Sequence, residues 1–236
     1  MRASGTYPRT LDPIRFRTAL MRWHKSHARQ FPWRAEGRSA YHVLIAEALL
    51  RKTTALQAAA VYPVVVDEYS SVAELADADV SELRRLLRPL GISDRARLLR
   101  GMAATLVRDF GGQVPDDLGT LMRLPGVGRY TASAVLTFAY GHRVGLVDVN
   151  VIRVLGRVFE WRSSAKRPHL DRDLWSRAAC LLPAARRTAE YHYALLDFAA
   201  LVCTAKNPKC GACPLSTRCP YRNIGLRTEV AGALRS

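Results

Sequence analysis

Cys203, Cys210, Cys213 and Cys219 follow the pattern C-x6-C-x2-C-x5-C, which packs four thiols into seventeen residues of a 236-residue chain. Thiolates so close in sequence can wrap one metal centre, and Pro208, Gly211 and Pro214 supply turns that aim sulfurs inward. The centre is either one zinc ion or one [4Fe–4S] cluster; the spacing alone does not separate them. A pair of disulfides would need an oxidising compartment, and the N-terminal sixteen residues lack the apolar stretch of a secretory signal. The default is therefore a cytoplasmic protein. The fifth cysteine, Cys180, stands in Ala178-Ala179-Cys180-Leu181-Leu182 and reads as a buried apolar residue.

Charge narrows the partner. Lys and Arg number 36 against 20 Asp and Glu, a net charge of +16. Such an excess favours a polyanion, because neutralised phosphates release their condensed counterions. Nucleic acid is the leading partner. A membrane is not expected, since no run approaches the roughly 20 apolar residues of a span. Lys206, Lys209 and Arg218 lie inside the cysteine loop, so the expected work of the metal centre is structural: it fixes a basic loop against DNA phosphates.

The rest of the chain reads as helix almost throughout, an all-α protein. An Ala-rich stretch from Tyr41 to Tyr62 carries Leu44, Leu49, Leu50 and Leu56, with Arg51-Lys52-Thr53-Thr54 at the end of its first helix. Val80, Leu83, Leu86, Leu87 and Leu90 recur at three- and four-residue steps up to Gly91. Ala96–Phe110 is helical and stops at Gly111-Gly112. Val114-Pro115-Asp116-Asp117 reads as a helix start with Asp116 as the cap. Helices follow over Tyr130–Tyr140, Val149–Phe159, Asp173–Leu182 and Glu190–Cys203.

Three places carry chemistry. Leu124-Pro125-Gly126-Val127-Gly128-Arg129-Tyr130 stands between two helices. Pro125 ends the first, and the glycines let backbone amides face an anion at the start of the next. Gly126, Val127, Gly128 and Arg129 are thus candidates to hold a DNA phosphate, although an ordinary helical turn would look the same. Asp148, between Val147 and Val149, caps the entrance to an apolar helix; a carboxylate there could also stabilise a cationic sugar. Glu47 has Val43, Leu44, Leu50 and Arg51 as helical neighbours, which predicts partial burial and a raised pKa suited to proton transfer. The alternative is a plain Glu47–Arg51 ion pair. Arg51, Lys52 and Thr53 suit phosphate contacts or insertion into the base stack.

Taken together, these residues resemble the endonuclease III-like superfamily of helix-hairpin-helix DNA glycosylases. The resemblance runs from Phe31-Pro32-Trp33-Arg34 to Cys219-Pro220 and keeps the family's motif order. It implies that the cysteines hold a [4Fe–4S] cluster. It also implies two helical lobes with a substrate cleft between them. A six-helix barrel would span 37–144, with the hairpin at about 117–139; 1–36 and 145–236 would form the cluster lobe. Asp148 becomes the catalytic aspartate.

Members that also cut the strand carry a lysine where this chain has Tyr130, and tyrosine cannot form the imine. A monofunctional glycosylase follows, with Tyr130 lining the base pocket and Lys206 and Lys209 on DNA. The run Glu47-Ala48-Leu49-Leu50-Arg51-Lys52-Thr53-Thr54-Ala55 resembles the thymine/uracil mismatch glycosylases. Adenine-specific mismatch glycosylases are the second choice, and an iron–sulfur DNA-binding protein without catalysis the third. The expected partner is double-stranded DNA with a mispaired base, bound by a monomer in the nucleoid.

Overall fold

In the computed structural model, residues 11–91 and 94–224 are described. They form helices and connecting turns, with no β-strand among the described residues. In chain order the helices are α1 (Pro13–His27), α2 (Ala40–Leu50), α3 (Ala55–Glu68), α4 (Val72–Asp77), α5 (Val80–Leu87), α6 (Arg95–Phe110), α7 (Leu118–Leu121), α8 (Arg129–Phe138), α9 (Val149–Phe159), α10 (Arg172–Cys180) and α11 (Thr188–Leu201). No helix among the described residues is long and apolar enough to cross a membrane.

The chain divides into two compact units, Gln30–Val144 and the pair of segments Met1–Arg29 and Gly145–Ser236. The first holds α2 to α8. Helix α2 lies at its centre: Tyr41, Val43, Leu44, Ile45, Ala46 and Leu49 are all buried, so the helix is covered on every side. It packs on α3 and α8, while α6 packs on α4 and α5. Phe31 and Trp33, expected in the other unit, belong here: their rings stack, and Trp33 meets the buried Tyr62 edge-on.

The Ala-rich stretch is two helices. They are broken at Arg51–Thr53 and restarted by a capping box in which Thr54 and Gln57 satisfy each other's backbone amides. Asp117, one residue after the expected Asp116, caps α7; its carboxylate accepts from the amides of Gly119 and Thr120.

In the second unit, α11 packs on α1 and α9. Helix α9 buries Val151, Val154, Leu155, Val158 and Phe159, an apolar stripe at helical spacing that leaves Arg153 and Arg157 on another side. Asp197 of α11 is fully buried. It takes the Arg29 Nε at 2.7 Å, the Arg29 amide at 3.0 Å and the His24 Nε2 at 3.1 Å, and so fastens α1 to α11. Cys180 is exposed at the end of α10, not buried as expected. The apolar side of that helix is carried by Leu174, Trp175 and Ala178, which leaves residue 180 facing solvent.

Candidate active site and cluster loop

Asp148 is the cap of α9. Its Oδ1 accepts from the amides of Asn150 at 2.9 Å and Val151 at 2.7 Å, and its Oδ2 accepts from the Asn150 Nδ2 at 2.7 Å. Leu146 and Val147 before it are buried, while the carboxylate itself is half-buried. The sequence thus delivers a carboxylate with a set orientation: apolar residues bury the approach, and the bare amides of the first turn seize the side chain.

The fixing extends beyond the first turn. The Asn150 Oδ1 accepts from Arg153 at 3.0 Å. Arg153 also donates to the carbonyls of Cys203 and Ala199, each at 2.9 Å. One turn further on, Arg157 donates to the carbonyls of Thr204 at 2.7 Å and Ala205 at 3.1 Å. One face of α9 is therefore pinned to the start of the cysteine loop, and the end of that helix orients Asp148. Neither arginine, nor Asn150, was singled out in the sequence. The only local signal was the recurrence of Arg at a four-residue step opposite the apolar stripe.

The four cysteines line one pocket together with Val158, Phe198 and Val202. Burial pushes the Cys213 thiol up to about 11, and the neighbouring thiolates of Cys219, Cys203 and Cys210 add to the effect. The Cys219 thiol is likewise raised by burial; four sulfurs around one pocket invite a cation between them, which is the chemistry of a cluster-binding donor set. Among the described residues, no three His, Cys, Asp or Glu side chains are gathered closely enough for a single metal ion. Thiols ranged around a shared pocket fit a multi-iron cluster better than one zinc. Leu215 donates its amide to the Cys213 sulfur at 3.4 Å, a contact that a cluster-bound thiolate accepts well. Lys206 and Lys209 are exposed on this loop.

The Gln30–Val144 unit carries the other candidates. Glu47 is 8% exposed, buried on the central helix as its apolar neighbours predicted. Tyr130 is half-buried in the first turn of α8. In the hairpin, Gly126 has φ +76°, and a Cβ there would lie 2.6 Å from the Leu98 side chain. Both the left-handed conformation and the close packing demand glycine. Gly128, exposed, is the cap of α8.

Val127 departs from expectation. Its side chain is buried, and its amide donates to the Leu124 carbonyl at 3.1 Å. Its side chain anchors the hairpin in the core. Arg129 is half-buried.

Arg51 and the hairpin are joined: the Arg51 guanidinium donates to the Gly126 carbonyl at 3.2 Å. Beneath the turn lies Arg95, only 4% exposed. It donates to the carbonyls of Leu49 at 2.7 Å and Arg51 at 2.6 Å and to the Thr53 hydroxyl at 3.0 Å. Burial, helped by the nearby Arg51 cation, holds its pKa below the ordinary guanidinium value. This bracing sustains an exposed Lys52 in the left-handed region, at φ +53°, a conformation uncommon for a lysine. Arg95 is a further residue that the sequence did not reveal.

Comparison with known proteins places these features in a class. Residues 45–180 match the HhH-GPD superfamily of base excision DNA repair proteins, and residues 203–219 match the iron–sulfur binding domain of endonuclease III. The chain belongs to the HhH-GPD superfamily and carries that family's [4Fe–4S] domain on Cys203, Cys210, Cys213 and Cys219. It is 45% identical to a thymine/uracil-DNA glycosylase of Pyrobaculum aerophilum, over 90% of this chain and 94% of the relative. It is 38% identical to an adenine DNA glycosylase of Mycobacterium tuberculosis, over 88% of this chain and 68% of the relative. Among solved structures it resembles a thermostable thymine-DNA glycosylase, with a TM-score of 0.84 and 32% identity over 90% of this chain and 97% of the other.

Proposed function

We propose that this base excision repair protein is a monofunctional DNA N-glycosylase that releases thymine or uracil mispaired with guanine, working as a monomer on double-stranded DNA. The observation that carries the reading is the Asp148 carboxylate, oriented by three hydrogen bonds at the start of α9 yet only half-buried. The high identity to a thymine/uracil-DNA glycosylase supports the choice of base.

The target nucleotide is turned out of the stack, at least cost when it is mispaired. The bond between C1′ and the base breaks, and positive charge develops on the sugar. Asp148 stabilises that charge through space and orients the water that adds to C1′. The pyrimidine leaves with the bonding electron pair as a stabilised anion. Glu47, buried on α2, positions water or supplies a proton. Tyr130 lines the base pocket and offers no amine, so the abasic site remains for another enzyme. Lys52, on its braced turn, fills the vacated stack or grips phosphate, together with Arg51 and Thr53. Gly126, Gly128 and Arg129 hold the backbone at the hairpin, and Lys206 and Lys209 at the cluster loop.

The [4Fe–4S] cluster, when bound, supplies structural cross-linking of its loop. The chain's own arginines carry that order to α9.

A panel of duplexes differing only at the central pair, incubated and then treated with hot alkali, tests the reading. Strand scission at T or U opposite G is expected. Scission only at A opposite G or oxidised G would transfer the protein to the adenine-specific group. Binding without any alkali-labile site would leave a DNA-binding protein.

A further inference from the structure

We infer that Arg157 tunes the iron–sulfur cluster electronically, through a charged hydrogen bond to the sulfur of Cys203, and that Tyr221 holds the guanidinium in place for this task. The Arg157 Nη1 lies 3.5 Å from the Cys203 Sγ in donating geometry. The same guanidinium is fixed on two further sides. It donates to the carbonyls of Thr204 and Ala205, and its central carbon sits 4.4 Å from the centre of the Tyr221 ring. Attraction to the ring face suits a guanidinium, which is weakly hydrated and planar. Two carbonyls and a ring face thus hold the cation beside the sulfur.

Arg153 makes the contrast. It reaches the same stretch of loop but, among the described residues, bonds to carbonyl oxygens and the Asn150 side chain and to no sulfur. Arg153 fastens the loop; Arg157 fastens it and also touches a cluster ligand.

The consequence follows from electrostatics. A donor and a positive charge on a ligand sulfur stabilise whichever cluster state is richer in electrons. Removing them lowers the reduction potential. It also exposes a more electron-rich sulfur to oxidation, so the cluster should be lost faster in air. The inference concerns the cluster and stands whether or not the base specificity proposed above is right.

The test uses the iron-loaded full chain. Arg157→Met, Arg157→Lys and Tyr221→Leu are compared with the natural protein for iron content, for midpoint potential by spectroelectrochemistry, and for the rate at which the visible band bleaches in air. Lys206→Met removes an exposed positive charge from the loop while leaving the Arg157–Cys203 contact in place, and so calibrates the effect of charge alone. The expected result is a potential lowered most by Arg157→Met, less by Arg157→Lys and Tyr221→Leu, and least by Lys206→Met, with bleaching rates in the same order. If Arg157→Met does not load iron, the order of the remaining three decides. Potentials for the Arg157 and Tyr221 variants no lower than that of Lys206→Met would overturn the proposal.

Discussion

Arg153 donates from its Nε to the main-chain carbonyl of Cys203 at 2.9 Å, a contact between residues fifty apart in sequence. Through Asn150, the same guanidinium reaches the carboxylate of Asp148. The order of the cysteine loop and the orientation of the proposed catalytic group are thus linked by one side chain. Replacing Arg153 by Met should leave carbonyls at Cys203 and Ala199 without their donor, at a cost of about 1–3 kcal/mol. Single-turnover base release should slow with DNA affinity retained, as measured by rapid quench and by anisotropy. Unchanged turnover would show that Asp148 needs no support beyond its own helix.

Asp148→Asn keeps the cap acceptor but removes the negative charge. Loss of a preorganised electrostatic contact costs about a hundredfold to a thousandfold in rate. Base release should fall by at least that much, while the variant still binds mismatched duplex. A variant that turns over at the natural rate would remove the charge-stabilisation mechanism.

Tyr130 has no amine, so borohydride should trap no covalent complex with the natural protein. Tyr130→Lys places one in the first turn of α8. If that turn faces the sugar, the variant gains borohydride-trapped product on a denaturing gel. Absence of a trapped band in a folded, DNA-binding variant would place Tyr130 away from the anomeric carbon.

Arg95→Ala removes three hydrogen bonds from the turn that holds Lys52. The carbonyls of Leu49 and Arg51 keep only the Thr53 hydroxyl as a side-chain donor, which predicts about 1 kcal/mol of destabilisation in denaturant melts. DNA affinity should fall further than in Lys52→Ala, because Arg51 and Thr53 shift along with Lys52.

Acid should weaken the protein through its helix caps. Hydrogen bonds from first-turn amides hold the carboxyls of Asp79 and Asp117 below their ordinary values, and those of Asp171 and Glu74 are lowered chiefly by serine hydroxyls. A depressed folded-state pKa contributes stability that is present above the unfolded value, near pH 4, and vanishes as pH falls through the folded one. The melting temperature should therefore hold from pH 7 to about pH 5 and drop below it. Asp117→Asn, which still accepts but no longer titrates, should flatten part of that drop.

The helical character of the chain, the hairpin, the four-thiol pattern and the cap at Asp148 were legible without a structure because each is a short-range matter. A side chain meets amides two or three residues on, a proline ends a helix, and cysteines a few residues apart share one pocket. The burial of Glu47 was legible for the same reason, from its helical neighbours. What tertiary structure alone decided is where the arginines go. Arg95, Arg153 and Arg157 bind carbonyl oxygens 44 to 50 residues away. Every residue carries such an oxygen, so no spacing or residue type marks the partner in advance. The inward turn of Val127 and the outward turn of Cys180 likewise depend on which side of a helix or loop meets the core, and packing against distant segments settles that.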